Sequence, residues 1–232
     1  MTNKKENTYI IFILDKSGSM SAIQDATIKN TNEFFDEQKK ILTEAKVSSD
    51  QVKCALVTFN SRVEKLFENK RVTEVPTLVH KLSSTGHKLL NSVLSLKYAK
   101  VEMNEIKLDP TKEVNYIPDG TTALYDAIGD TVSKTQVNTN TTDVECVILT
   151  DGLENASREW NQKTVGKLIE KKKTEGWTFT YLGANQDSFA EGAKMSLARG
   201  DCSNFGYSGE GVTCAMKSAS ANVYSKMKSK YK

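Results

Sequence analysis

Apolar residues cluster in short continuous runs at intervals along the chain. The runs over Tyr9–Leu14, Lys53–Phe59 and Val144–Thr150 are rich in β-branched residues, which is typical of strands covered on both faces in a parallel sheet. Trp177–Leu182 is a further run of this kind, and Cys202–Tyr207 is a short last one. The pattern therefore predicts a series of buried strands.

Between these runs, apolar residues recur every three to four positions, as in amphipathic helices. The helices predicted in this way cover Ala22–Glu44, Ala123–Val137, Thr164–Glu175, Ser188–Leu197 and Val212–Lys230. Strands that alternate with helices of about ten or more residues predict a doubly wound, Rossmann-like α/β fold, in which helices cover both faces of a mostly parallel sheet.

Two regions are less regular. Val63–Phe67 and Arg71–Val75 predict an edge hairpin that turns at Glu68-Asn69-Lys70. Residues 76–113 contain one helical pattern, at Lys88–Lys97, and no clear strand, so we interpret them as an insertion. We expect residues 1–7 to form a flexible N-terminus and residues 8–232 to form a single domain.

Composition narrows the classes of function. The 232 residues are 38% hydrophobic and 26% charged, as in a folded globular chain. The 32 basic and 29 acidic residues leave a net charge of only +3, which gives no support to nucleic-acid binding. No apolar run approaches the ~20 residues that span a bilayer, and the first residues are polar. We therefore expect a cytoplasmic protein that does not bind membranes.

Cysteine and histidine offer little metal chemistry. The four cysteines lack CxxC spacing, and we expect all of them to be reduced: Cys54, Cys146, Cys202 and Cys214. The two histidines, His80 and His87, lie in polar sequence and do not form a zinc motif. Any metal would therefore be held by oxygen atoms.

Short oxygen-bearing side chains follow two of the predicted strands directly. The first group is Asp15-Lys16-Ser17-Gly18-Ser19, and the second is Thr150-Asp151-Gly152. A third group, Asp119-Gly120-Thr121-Thr122, precedes a predicted helix. Ligands of doubly wound sheets bind at the carboxyl ends of the strands. Oxygen donors without imidazole or thiolate favour a hard cation, best Mg²⁺, with Mn²⁺ or Ca²⁺ as alternatives.

These three groups resemble the metal-ion-dependent adhesion site (MIDAS) of von Willebrand factor A domains. The segments DKSGSM (15–20), DGTTALYDAI (119–128) and LTDGLENAS (149–157) occur in the order of that family. The resemblance covers about residues 8–200 and is greatest for bacterial and phage stand-alone domains of the tellurite-resistance accessory kind. It implies metal ligands at Asp15, Ser17, Ser19, Thr122 and Asp151.

The resemblance also implies a function. In the family, the serines and the threonine contact the metal, the aspartates act directly or through water, and one position stays open for an acidic residue of a partner protein. Thr122 is preferred to Thr121 because the family threonine stands two residues before the leucine, here Leu124. We therefore expect a non-enzymatic module that binds a Glu or Asp of another protein through Mg²⁺.

Two other functions compete with this one. The first is a Mg²⁺-dependent phosphohydrolase with Asp15 as the nucleophile. Such enzymes usually carry a second carboxylate two residues later, where this chain has Ser17. The second is a structural subunit of a phage or bacterial assembly, in which the metal only stabilises the fold. A P-loop ATPase is excluded because no GxxxxGK[ST] motif occurs.

Three further polar residues near these motifs have structural interpretations. Glu154 and Asn155 could surround the metal ligands, but a role at the start of a helix is favoured. Asp126 is expected to face solvent or to cap a neighbouring element. We assign none of the three to the metal.

Overall fold

The computed structural model describes residues 6–80, 112–184 and 187–231. Its strands are β1 (Asn7–Asp15), β2 (Val52–Phe59), β3 (Val63–Arg71), β4 (Thr77–Val79), β5 (Glu113–Asn115), β6 (Thr142–Thr150), β7 (Trp177–Ala184) and β8 (Cys202–Phe205). Its α-helices are α1 (Gln24–Glu44), α2 (Leu124–Lys134), α3 (Gln162–Thr174), α4 (Ser188–Lys194) and α5 (Gly209–Lys230), and a 3₁₀ helix over Gly18–Ile23 precedes α1.

Six strands form the central sheet, in the order β3-β2-β1-β6-β7-β8. All neighbours pair in parallel except β2 and β3, which are antiparallel. The chain proceeds outward from β1 to β2 on one side and from β6 to β8 on the other, so the strand order reverses between β1 and β6. The reversal opens a crevice at the carboxyl ends of these two strands, where Asp15 and Asp151 lie.

Two apolar cores cover the two faces of this sheet. Successive side chains of a strand point to opposite faces, so β1 contributes Phe12 to one core and Ile13 to the other. The first core is filled by α1 and α5, and the second by α2 and α3. The doubly wound α/β fold predicted from the sequence is confirmed.

The edge hairpin predicted over Val63–Val75 is wrong, because β3 continues as one strand to Arg71 and is followed by a 3₁₀ helix. The polar triplet forms a bulge instead of a turn. Leu56 pairs with Phe67 and Cys54 pairs with Lys70, so β3 carries one extra residue opposite β2 in this stretch, and a second register shift follows between Leu56 and Val57. Asn69 absorbs it with a φ of 55°, a conformation that asparagine tolerates better than most residues.

One short strand lies within residues 76–113 and another begins at the end of this range, and the sequence pattern revealed neither. The three-residue strands β4 and β5 pair in parallel as a separate small sheet. Asn32 of α1 anchors it, because its side chain donates to the carbonyl of Leu78 (2.9 Å) and accepts from the Leu78 N–H (2.8 Å). The helix predicted at Lys88–Lys97 lies outside the described residues.

The first described residues are hydrogen-bonded to the residue before β6. Glu6 and Asn7 both donate their N–H groups to the carbonyl of Thr141, so these two of the seven N-terminal residues are bound to the sheet. Residues 1–5 lie outside the described region. Within the described ranges, no helix is long and apolar enough to cross a lipid bilayer.

Candidate metal centre

Asp15 ends β1 with its side chain fully buried. Its Oδ2 accepts a 2.6 Å hydrogen bond from the Thr150 hydroxyl, and its Oδ1 accepts one of 2.7 Å from the Ser17 N–H. Burial nevertheless raises the pKa of Asp15 to about 6, with the charge of Asp151 adding a smaller increase. The carboxylate is thus held in place by two donors, neither of which carries a positive charge.

Ser17, Ser19 and Asp151 form a continuous chain of polar contacts. The hydroxyls of Ser17 and Ser19 are 3.1 Å apart, and the Ser19 hydroxyl donates to Asp151 Oδ1 at 2.7 Å. The other carboxylate oxygen, Asp151 Oδ2, is buried and has no hydrogen-bond partner among the described residues. Burial raises the pKa of Asp151. A buried carboxylate oxygen without a partner is costly unless a ligand satisfies it.

Thr122 lies against the same loop. Its backbone exchanges two hydrogen bonds with Asn155, from the Thr122 N–H to Oδ1 (2.9 Å) and from the Asn155 N–H to the Thr122 carbonyl (3.0 Å). A Cβ atom built on Gly152 would come within 2.8 Å of Thr122 Oγ1. The glycine after Asp151 therefore leaves the space in which this hydroxyl sits.

Backbone hydrogen bonds join the segment before Thr122 to the first loop. The Gly18 N–H donates to the Gly120 carbonyl (3.1 Å), and the Asp119 N–H donates to the Lys16 carbonyl (2.9 Å). The loops that carry the five proposed metal ligands, Asp15, Ser17, Ser19, Thr122 and Asp151, are therefore joined to one another. Side-chain contacts connect Ser17, Ser19 and Asp151. Asp15 is bound to the Ser17 N–H and to Thr150, and Thr122 is connected through its neighbours Gly152 and Asn155.

Two tyrosines that the sequence analysis did not identify support the loops of this cluster. The buried Tyr116 donates its hydroxyl to the backbone carbonyl of Asp15 at 2.6 Å, and Tyr207 donates to the carbonyl of Ser19. Tyr116 stands three residues before the second motif and Tyr207 lies 188 residues beyond Ser19. No local pattern connects either tyrosine with the site, because the contacts depend on the tertiary fold.

Nearby carboxylates hold the loops and do not join the cluster. Glu154 accepts N–H bonds from Tyr125, at the start of α2, and from Ala156 and Ser157. The carboxylate of Asp126 accepts from three consecutive N–H groups over residues 158–160. Asp126 therefore caps a neighbouring segment, as its sequence position suggested. Glu154 and Asn155 do not start the helix that follows them, because that helix begins only at Gln162. They bind Tyr125 and Thr122 instead.

The donor set fits a hard divalent cation. Mg²⁺ holds six oxygens at about 2.1 Å, so adjacent oxygens of its octahedron are about 3 Å apart, close to the separation of the Ser17 and Ser19 hydroxyls. A cation would also satisfy Asp151 Oδ2 and offset the charges of two buried acids. Lys16, the nearest base in sequence, pairs with Glu64 at 2.9 Å. The described residues contain no group of three or more His, Cys, Asp or Glu suited to a metal, so hydroxyl oxygens would have to complete this site.

Neither a protein-family model nor a curated protein sequence matches this chain. Solved structures do resemble it. Proximal thread matrix protein 1 from the mussel byssus matches 97% of this chain with a TM-score of 0.56 and 16% identity. The pilus adhesin SpaC from Lactobacillus rhamnosus GG, in an open conformation, also matches 97%, with a TM-score of 0.61 and 12% identity.

At these identities the comparisons show the fold and not the function. This chain spans 47% of the mussel chain and 31% of the SpaC chain. A further structure of the mussel protein, with a TM-score of 0.55, is described as having a zinc-occupied MIDAS motif. That is the type of site that the three sequence motifs of this chain resemble.

Proposed function

We propose that this chain is a metal-dependent protein-binding module, in which a divalent cation links the protein to an acidic residue of a partner. The observation that carries the proposal is the buried Asp151 Oδ2, which has no described partner and lies beside two serine hydroxyls. Asp15, Ser17, Ser19, Thr122 and Asp151 would hold the cation. Mg²⁺ suits this donor set best, and the zinc in the mussel neighbour supports a divalent metal.

The balance of charge favours binding of an additional carboxylate. Three of the five side chains are neutral hydroxyls, so the protein supplies at most two negative charges to the cation. Mg²⁺ also keeps positions for outside ligands readily, because it seldom occupies all-protein cages. When bound, the cation would supply a Lewis-acidic position that a Glu or Asp from another protein can occupy.

The position of Asp15 does not suit a phosphohydrolase. A nucleophilic carboxylate must reach the phosphorus atom of its substrate, whereas Asp15 is fully buried and both of its oxygens accept hydrogen bonds. Lys16, which could have balanced a phosphate charge, is paired with Glu64. These contacts favour a role for Asp15 in holding a cation over a role as a nucleophile.

The experiment is a selection of displayed peptides on the immobilised protein. Random peptides are bound in MgCl₂ and eluted with EDTA, on the wild type, on Asp151→Ala and on the matched control Asp36→Ala. Asp36 is an exposed acid of α1 that pairs with Lys39. We expect wild type and the control to yield EDTA-eluted peptides rich in Glu or Asp, and Asp151→Ala to yield none.

A parallel measurement separates binding from a purely structural metal. Thermal unfolding with and without MgCl₂ reports any cation bound to the native state. Stabilisation by Mg²⁺ without EDTA-sensitive peptide capture would favour the structural subunit and contradict the proposed function. Retention of the peptides by the wild type in EDTA, or capture by Asp151→Ala in MgCl₂ at the level of the wild type, would also contradict it.

A further inference from the structure

Two large apolar side chains are exposed close to the candidate metal centre. Leu153 is 56% exposed and Ile117 is 40% exposed, and no other large hydrophobic residue of the described ranges is exposed to this degree. Isolated exposed apolar residues are common on protein surfaces. Here both belong to the loops that carry the candidate ligands, and that shared location requires an explanation.

Chain connectivity keeps both residues near the loops that carry the candidate ligands. Leu153 is two residues from Asp151, and Ile117 is two residues from Asp119, whose N–H donates to the Lys16 carbonyl. Two residues of chain span at most about 7 Å. Leu153 therefore lies within about 7 Å of chain from a candidate ligand, and Ile117 lies equally close to the segment that is hydrogen-bonded to the first loop.

Intramolecular hydrogen bonds hold the loop around Leu153 in place in the absence of a partner. The Thr150 hydroxyl lies 3.1 Å from the Gly152 carbonyl, just before Leu153, and Glu154, just after it, is bonded through both carboxylate oxygens. These bonds direct the charge of Glu154 into the loop and away from the surface beside Leu153. A preformed apolar contact loses little conformational entropy on binding.

We infer that Leu153 and Ile117 form an apolar rim that selects a partner segment in which a large hydrophobic side chain lies within three positions of the metal-bound acid. This inference rests on the proposed function and adds the chemical class of its partner. The carboxylate would supply the metal-dependent attraction, and burial of the hydrophobic side chain against the rim would supply selectivity. A segment with only polar residues around its acid would leave Leu153 and Ile117 exposed.

The test uses a displayed library with a fixed central Glu and four random positions on each side. It is selected in MgCl₂ and eluted with EDTA on wild type, Leu153→Ser and the matched variant Leu153→Met. We expect wild type and Leu153→Met to enrich Leu, Ile, Phe or Met within three positions of the Glu. Leu153→Ser should bind a selected peptide about tenfold more weakly, with unchanged affinity for Mg²⁺ alone.

The outcomes separate the two proposals. EDTA-eluted peptides without apolar enrichment, or unchanged affinity of Leu153→Ser for the selected peptide, would overturn the apolar rim and leave the proposed function intact. Failure of the wild type to retain any peptide in an EDTA-sensitive way would overturn both. Because Leu153 is exposed, Leu153→Ser should unfold at the temperature of the wild type, which thermal denaturation checks.

Discussion

The Ser19 hydroxyl donates a 2.7 Å hydrogen bond to Asp151 Oδ1 across 132 positions of the chain. This contact joins the loop after β1 to the loop after β6, at the point where the strand order reverses. It uses one carboxylate oxygen of Asp151 and leaves the other buried without a described partner. A cation bound here would therefore meet side chains that the sheet already holds together.

Asp151→Asn should have opposite effects with and without metal. Burial raises the pKa of Asp151, which means that its charge destabilises the metal-free fold, so the neutral amide should unfold at an equal or higher temperature in EDTA. Loss of the charge should weaken Mg²⁺ binding by about tenfold or more. Calorimetric titration with MgCl₂ and thermal unfolding check the two effects. Asp36→Asn, on α1, should change neither, and an unaltered Mg²⁺ affinity of Asp151→Asn would remove Asp151 from the site.

Tyr207→Phe should weaken metal binding without unfolding the protein. The Tyr207 hydroxyl holds the carbonyl of Ser19, so its removal frees the loop that carries two candidate ligands. Loss of a side chain that holds a metal ligand typically lowers metal affinity about tenfold or more. The contact of Tyr207 with Ser19 is exposed, so we expect a smaller, few-fold loss of Mg²⁺ affinity, measured by calorimetry. Tyr224→Phe is the matched control, because Tyr224 lies on α5 and its hydroxyl bonds the exposed Glu44 at the end of α1. Equal losses in both variants would contradict a specific role for Tyr207.

Gly129→Ala should destabilise the fold through α2. A Cβ atom at this position would meet the Trp160 ring at 2.1 Å, far inside van der Waals contact. Overpacking of this kind costs about 1–3 kcal/mol of unfolding free energy, although alanine is the better helix former. Urea denaturation measures the change. Gly200→Ala, where no atom lies within 4 Å of the added Cβ, should be neutral, and equal stabilities of the two variants would show that Trp160 moves aside freely.

Tyr9 should make the protein sensitive to alkaline pH. Burial raises the pKa of Tyr9 to about 12, above the ordinary value of 10.0. Because the hydroxyl of Tyr9 ionises less readily in the folded protein than in the unfolded chain, its contribution to the free energy of unfolding is fully present below pH 10. That contribution is lost as the pH rises through 12, since the unfolded chain loses its proton first. The free energy of unfolding of the wild type, compared with Tyr9→Phe, should therefore fall between these two pH values. The difference in phenolate absorbance between the two proteins locates the same pKa, and a midpoint near 10 would contradict burial of this hydroxyl beside the Asn69 N–H.

Local patterns in the sequence predicted the five parallel strands of the central sheet and the polar residues at the ends of two of them. A buried strand such as Tyr9–Leu14 must be apolar on both faces, and the residue after it lies at the carboxyl end of the strand. Asp15 and Asp151 could therefore be placed at the ligand-binding end of the sheet without coordinates. The tertiary structure alone decided which contacts form between distant segments. It converted Glu68-Asn69-Lys70 from a predicted turn into a bulge, and it placed Tyr116 and Tyr207 on the carbonyls of the first loop. The physical reason is that strand burial is encoded within a few neighbouring residues, whereas a hydrogen bond over a hundred positions exists only after the sheet has brought its strand ends together.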